Sequence, residues 1–208
     1  NSLAVTLRSI GQFDQAVEGL FKSLSIGEQL GRKISQAVAH TNIGVLFWML
    51  NDERASTHQQ RSLQIFQESS FPRGIGYCLY RMLIMSNGDT ESINGLSKEL
   101  EQLSETLSYS KLPIWLSGSQ LLCSVEDADS ELIWSQVQSL KETRATVNLE
   151  NIHVEDGPVF PWLYAAQYMQ RQGHIARLNE TLTMIDTELN GRHFHKREEL
   201  ERLREYTL

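Results

Sequence analysis

The amino-acid sequence predicts an all-α protein, a right-handed α-solenoid of about five antiparallel helix pairs closed by a charged C-terminal capping helix. Three observations lead there. A ten-residue frame is written twice, "KSLSIGEQLG" from Lys22 and "RSLQIFQESS" from Arg61, and 61 − 22 sets a period of 39. Apolar residues recur in steps of 3 and 4 along Ile93, Leu96, Leu100, Leu103 and Leu107, and again along Ile175, Leu178, Leu182, Ile185 and Leu189. That is the spacing of a single helix face. Residues that tolerate a left-handed backbone, Gly11, Asn51, Asn87-Gly88 and Gly173, punctuate the helical stretches.

The first pair spans about residues 1–31. Small Ala4 and Ala16 let two helices approach, Gly11 makes the turn, Phe13 fills the space between the helices, and Leu20 and Leu24 continue the buried stripe. The second pair, about 32–70, repeats the frame with Ile43, Gly44, Phe47 and Ala55; Asn51 stands at the turn, which is one residue shorter. The third, about 71–108, opens on "RGIGYCLYRML" and turns at Asn87-Gly88-Asp89. The fourth, about 109–148, keeps the outline, a helix around "IWLSGSQLLCSV", an acidic turn "EDADS" and a second helix. The fifth, about 158–190, restores the frame at Trp162, Ala165, Ala166, Met169 and Gly173. Before it lies a stretch with no helical period, 149–161, expected to be a loop. After Gly191 a charged segment, 194–208, has Leu200 and Leu203 as its apolar seam, extended by Tyr206, which suits a cap with a polar outer face.

The small-large apolar frame around a Gly turn resembles the tetratricopeptide repeat, and the period near 40 resembles its long-repeat subfamily in bacterial and archaeal signalling regulators. The resemblance covers roughly residues 1–190, most specifically the first three pairs. It implies a single solenoid domain over 1–208, whose first helices line a concave groove. On it, the groove is lined by Thr41, Asn42, Val45 and Trp48 of the second pair and by Tyr77, Tyr80 and Arg81 of the third. Arg8 of the first pair is placed there too. Asn42 and Arg81 take equivalent places, 81 − 42 being 39. An amide, a guanidinium and aromatic rings together suit a peptide ligand. The implied function is a non-catalytic scaffold that binds a peptide or partner protein. The other reading is a regulatory segment of a larger signalling ATPase or transcription regulator, which fits a chain that opens at Asn1 inside a helical pattern, as a piece of a longer protein would.

Bulk properties restrict the alternatives. The chain has 208 residues, 40% hydrophobic and 22% charged, and acidic residues outnumber basic ones 26 to 19, for a net charge of −7. An acidic surface disfavours nucleic acid and anionic membranes. The basic residues of "HFHKREELERLRE" are interleaved with Glu and read as a solvated helix face. No apolar run approaches the roughly 20 residues that span a bilayer. Cys78 and Cys123 sit in apolar surroundings without metal-ligand spacing and are expected to be buried, reduced thiols of a cytoplasmic protein. Self-association through the solenoid ends is a further expectation.

No phosphate loop, HExxH or GxSxG pattern occurs, so neither catalysis nor a cofactor is expected. Three clusters carry titratable side chains close together in sequence. His193 and His195 are two apart, unsuited to one helix face, and are expected to be solvated. Glu126, Asp127 and Asp129 lack the later residues of a calcium loop, so an acidic turn or N-cap is expected. His153, Glu155 and Asp156 have no visible nucleophile beside them.

Overall fold

The computed structural model describes residues 2–86, 89–125, 129–147, 157–192 and 194–207. Its helices are α1 (Ser2–Ser9), α2 (Phe13–Gln29), α3 (Lys33–Met49), α4 (Arg54–Glu68), α5 (Pro72–Met85), α6 (Thr90–Ser104), α7 (Leu112–Ser124), α8 (Ser130–Thr146), α9 (Val159–Arg171), α10 (Ile175–Leu189) and α11 (Arg197–Glu205). There is no strand among the described residues, so the protein is all-α. The chain divides into two compact units, Asn1–Met85 and Ser86–Leu208. The division falls inside the third expected pair, so α5 belongs to the first unit and α6 to the second.

The first unit holds two hairpins, α1–α2 and α3–α4, followed by α5. Each of its first four helices ends in the same way. A residue with positive φ follows the helix: Gly11 (79°), Gly31 (61°), Asn51 (54°) and Ser70 (49°). The amide after it reaches back five residues, as in Gln12 N–H to the Leu7 carbonyl (2.9 Å) and Asp52 N–H to the Phe47 carbonyl (2.8 Å). This closure satisfies carbonyls that a helix end otherwise leaves open. Asn51 therefore does at the second turn what Gly11 does at the first, as expected from its tolerance of left-handed backbone.

Small residues bring the hairpin partners together. A Cβ added at Gly19 would stand 3.1 Å from the Ala4 Cβ, and one added at Gly44 would stand 2.8 Å from the Gln59 amide nitrogen. Gln59 is almost fully buried and donates through Nε2 to the Thr41 carbonyl at 2.9 Å. Ala37, Ile65, Phe66 and Cys78 form the core where α3, α4 and α5 meet. Gly74 of α5 presses against the Phe66 ring so closely that any side chain there would overlap it.

In the second unit α7 packs on α6, α8 and α9, while α10 packs on α8 and α9. Its core is built from Trp115, Leu121, Val137, Leu140, Phe160, Leu178 and Ile185, all essentially without exposure. The α11 helix covers α9 and α10 with Leu200 and Leu203, the seam expected of a cap, whereas Tyr206 is half exposed. Two expected boundaries move. The α6 helix stops at Ser104, leaving Leu107 beyond it. The α9 helix begins at Val159, so the end of the expected loop is helical. Pro158 and Pro161 fall at the N-cap and in the first turn, where a helix needs no N–H. Of the 149–161 stretch, residues 149–156 lie outside the described residues.

Candidate functional site

The residues expected to line a groove sit on α3 and α5 of the first unit, and most of them are inside. Thr41, Val45, Tyr80 and Arg81 have no exposure, Asn42 has 6% and Trp48 has 8%; only Tyr77 is partly exposed. Arg8 of α1 is buried too, at 1%. The expectation that they face an open groove is corrected on that point. Nearly the whole circumference of α3 is covered, because α2 lies on one side and α4 and α5 on the other.

The interior position of these residues follows from their partners. Thr41 Oγ1 and Ser62 Oγ lie 2.5 Å apart, and both are within reach of the Ala37 carbonyl, at 3.1 and 2.7 Å. One hydroxyl donates to that carbonyl and the other to its neighbour, since each carries a single proton. Cys78 Sγ joins at 3.3 Å from Ser62, and burial pushes its thiol above the ordinary range despite these hydrogen bonds. Its inertness follows, because the thiolate is the reactive form. Cys123 is only half-buried, against the expectation of full burial, and burial raises it in the same direction. The Arg81 guanidinium lies 4.0 Å above the Tyr77 ring and donates to Asn42 Oδ1 at 3.4 Å. Asn42 and Arg81, expected to hold a ligand from equivalent places, instead bond to each other and tie α5 to α3 within the unit.

A second cluster, absent from the expectations, lies at the junction of α2, α3 and α4. Phe21 of α2 stands against Phe47 of α3 (ring centres 6.1 Å) and edge-on to His58 of α4 (6.0 Å). His58 meets Phe47 edge-on at 5.4 Å, and Arg54 lies 4.2 Å above the Phe47 ring. His40 and His58 point Nδ1 at Nδ1 across 2.9 Å with ring centres 5.1 Å apart. Those two lengths together describe a nearly straight N–H···N bond, in which one ring donates and the other accepts. Burial, then the neighbouring His58 and Arg61, push His40 down to about 4. Burial and Arg54 lower His58, while Asp52 opposes that in part. Asp52 itself is held at about 2 by its hydrogen bonds from Arg54. The missed signal was in the repeat: His58 occupies the place that Gly19 takes in the first pair, 58 − 19 being 39.

The first hairpin carries an open cleft of about 340 Å³ between α1 and α2. Leu3, Leu7, Gly19, Lys22 and Ile26 are among its walls.

In the second unit Ser130 Oγ is 2.8 Å from His174 Nε2 and 3.3 Å from the Tyr168 hydroxyl. A hydroxyl on an imidazole resembles a nucleophile with its base. Here, however, the amides that could support an oxyanion at this helix end, those of Glu131 and Leu132, already bond to Asp129 Oδ1 at 2.9 and 2.8 Å. Arg177 holds the Ser130 carbonyl at 3.1 Å and the Glu131 carboxylate at 2.6 Å. These bonds fasten the start of α8 to α9 and α10.

The remaining expected clusters resolve unevenly. Asp129 is the N-cap of α8, as expected of the acidic turn, while Glu126 and Asp127 lie outside the described residues, as do His153, Glu155, Asp156 and His193. His195 is half-buried against Phe160 and Phe194, with ring centres 5.5 and 5.8 Å away, rather than solvated. Among the described residues no three His, Cys, Asp or Glu side chains converge as a metal site would require, and no helix is long and apolar enough to cross a membrane. No protein-family model matches the chain, and neither does any curated protein.

Proposed function

We propose that this chain is a non-catalytic interaction module, a tetratricopeptide-like solenoid that binds a helical or extended segment of a partner protein. One observation carries the reading. Of the ten large apolar side chains exposed among the described residues, seven fall within the first fifty positions: Leu3, Ile10, Phe21, Ile26, Leu30, Ile34 and Leu50. Scattered exposed apolar groups are ordinary, but concentration on one short segment marks an interaction surface. Five of the seven belong to the first hairpin and its turns, and Ile34 and Leu50 to the two ends of α3, so this reading moves the surface from the buried α3–α5 residues of the sequence expectation to the first hairpin and the ends of α3. The reading takes the module as cytoplasmic, with both thiols reduced.

The test is cross-linking capture from the source cell with the wild-type chain and with a Leu3→Glu, Ile26→Glu double variant, using Leu132→Glu as the control for an unrelated exposed position. A defined partner retained by the wild type and by the control, and lost by the double variant, is the expected result. Equal recovery by all three would remove the first hairpin as the binding surface; no enrichment at all would remove the module reading.

A further inference from the structure

The cleft in the first hairpin has a counterpart in the second, and there the occupant is visible. The turn residues Gly11 and Asn51 are 40 apart, while Gly31 and Ser70 are 39 apart. On that register Leu7 of α1 corresponds to Phe47 of α3 (47 − 7 = 40). Gln15, Gly19 and Lys22 of α2 correspond to Arg54, His58 and Arg61 of α4, each 39 further on. In the second hairpin the Phe21 ring of the preceding helix rests on Phe47 and His58, with Arg54 lying over Phe47. In the first hairpin the equivalents Leu7, Gln15, Gly19 and Lys22 all line the open cleft. Gly19 stands where His58 carries an imidazole; Ala4 of α1 closes the space of its missing Cβ, so the cleft wall there is bare backbone with no ring projecting into it. Leu3 and Ile26, 73% and 47% exposed, complete an apolar rim.

We propose that this cleft docks an amphipathic helix of a partner protein, which places an aromatic side chain over Gly19 and against Leu7, as α2 does with Phe21 on the next hairpin. The cleft continues an interface already formed inside the unit, that of α2 on α3 with Phe21 reaching His58 of α4, by one repeat. Its walls converge no buried polar group, so a small polar ligand finds nothing to orient it. A second copy is disfavoured because the aromatic of matching form, Phe21, is already lodged on Phe47 and His58 within each chain. Glu18 and Lys22, one turn apart on the rim, favour a helix carrying a base and an acid at the same spacing.

The inference rests on the interaction-module reading and names the partner class for it. The probe is a side-chain-stapled helical peptide with the sequence of α2, Phe13–Gln29, since that segment covers the equivalent surface. Titrated against the full chain and followed by fluorescence anisotropy, it is expected to bind saturably. Phe21→Ala in the peptide and Leu7→Glu in the protein are each expected to weaken binding about tenfold or more, as removal of an aromatic anchor or its pocket does. Ile26→Glu, at an exposed rim position, is the second protein variant and keeps the test decisive if Leu7→Glu fails to fold. Absence of binding up to about 1 mM, the affinity of a marginal contact, overturns the proposal. So does binding that ignores all three substitutions. Concentration-dependent self-association abolished by Ile26→Glu would assign the cleft to a second copy instead. A partner captured from cells while the peptide fails would keep the module and remove this cleft from it.

Discussion

The His40–His58 contact is the residue pair whose chemistry reaches furthest. A straight N–H···N bond needs at least one neutral imidazole, and Arg54 and Arg61 of α4 press the pair in the same direction, with Asp52 opposing them at His58. From α2 the facing group is the Phe21 ring, which supplies no charge. Because the folded pKa of His40 lies near 4 against an ordinary 6.5, the folded state binds fewer protons than the unfolded chain in that interval. Stability is therefore complete above about 6.5, declines as pH falls toward 4, and levels off below. The full shift would correspond to about 3 kcal/mol, and partial exposure to solvent reduces it to on the order of 1–2 kcal/mol. Urea unfolding between neutral pH and pH 4 is expected to show this loss in the wild type and not in a His40→Phe, His58→Phe variant. Parallel pH profiles for the two proteins would exclude the pair as its source. The repeat period marked only the place of His58, opposite Gly19; the contact itself was not legible, since eighteen positions separate the rings and only the folded hairpin brings them together.

At the scale of elements, most of the helices were legible because their ends are chemically specific. Gly11, Asn51 and Gly173 all adopt the left-handed conformation that their residue types favour. Asp129 is the clearest case: its carboxylate takes the two leading amides of α8, and Arg177 and His174 hold the neighbouring Ser130. Asp129→Ala is expected to cost about 1 kcal/mol, the usual value for losing an N-cap. Asp129→Asn or Asp129→Ser is expected to restore most of it, which thermal unfolding would register; failure of both rescues would show that charge rather than capping matters there. What was illegible was the environment of a helix whose residue types are ambiguous. Thr41, Asn42, Tyr80 and Arg81 are polar or amphipathic, and the resemblance to the tetratricopeptide repeat assigned them to an open wall. Their burial arises from neighbours that periodicity does not count: Ser62 and Cys78 for Thr41, and Tyr77 and Asn42 for Arg81. The cleft of the first hairpin escaped notice for a different reason: Gly19, a wall residue without a side chain, leaves no ring there for a pattern to mark.

The whole chain is built from helices that touch helices close to them in sequence, first to second, second to third, and so on through α5 in the first unit. In such an arrangement stability is close to a sum of local terms, and damage stays near its source. Gly74→Ala provides the probe. The new methyl group would overlap the Phe66 ring, which is 1% exposed and surrounded by Ile65, Ala37 and Cys78, so the ring cannot simply turn away. Overpacking of this kind costs roughly 1–3 kcal/mol. Native-state hydrogen exchange is expected to show the loss of protection concentrated on α4 and α5, smaller on α3, and least on α1 and α2. The gradient follows from which helices contact Phe66 and Gly74 directly and which only through an intermediary. A uniform loss across all described helices would mean instead that the chain opens as one cooperative block, and the additive picture of the repeats would have to be given up.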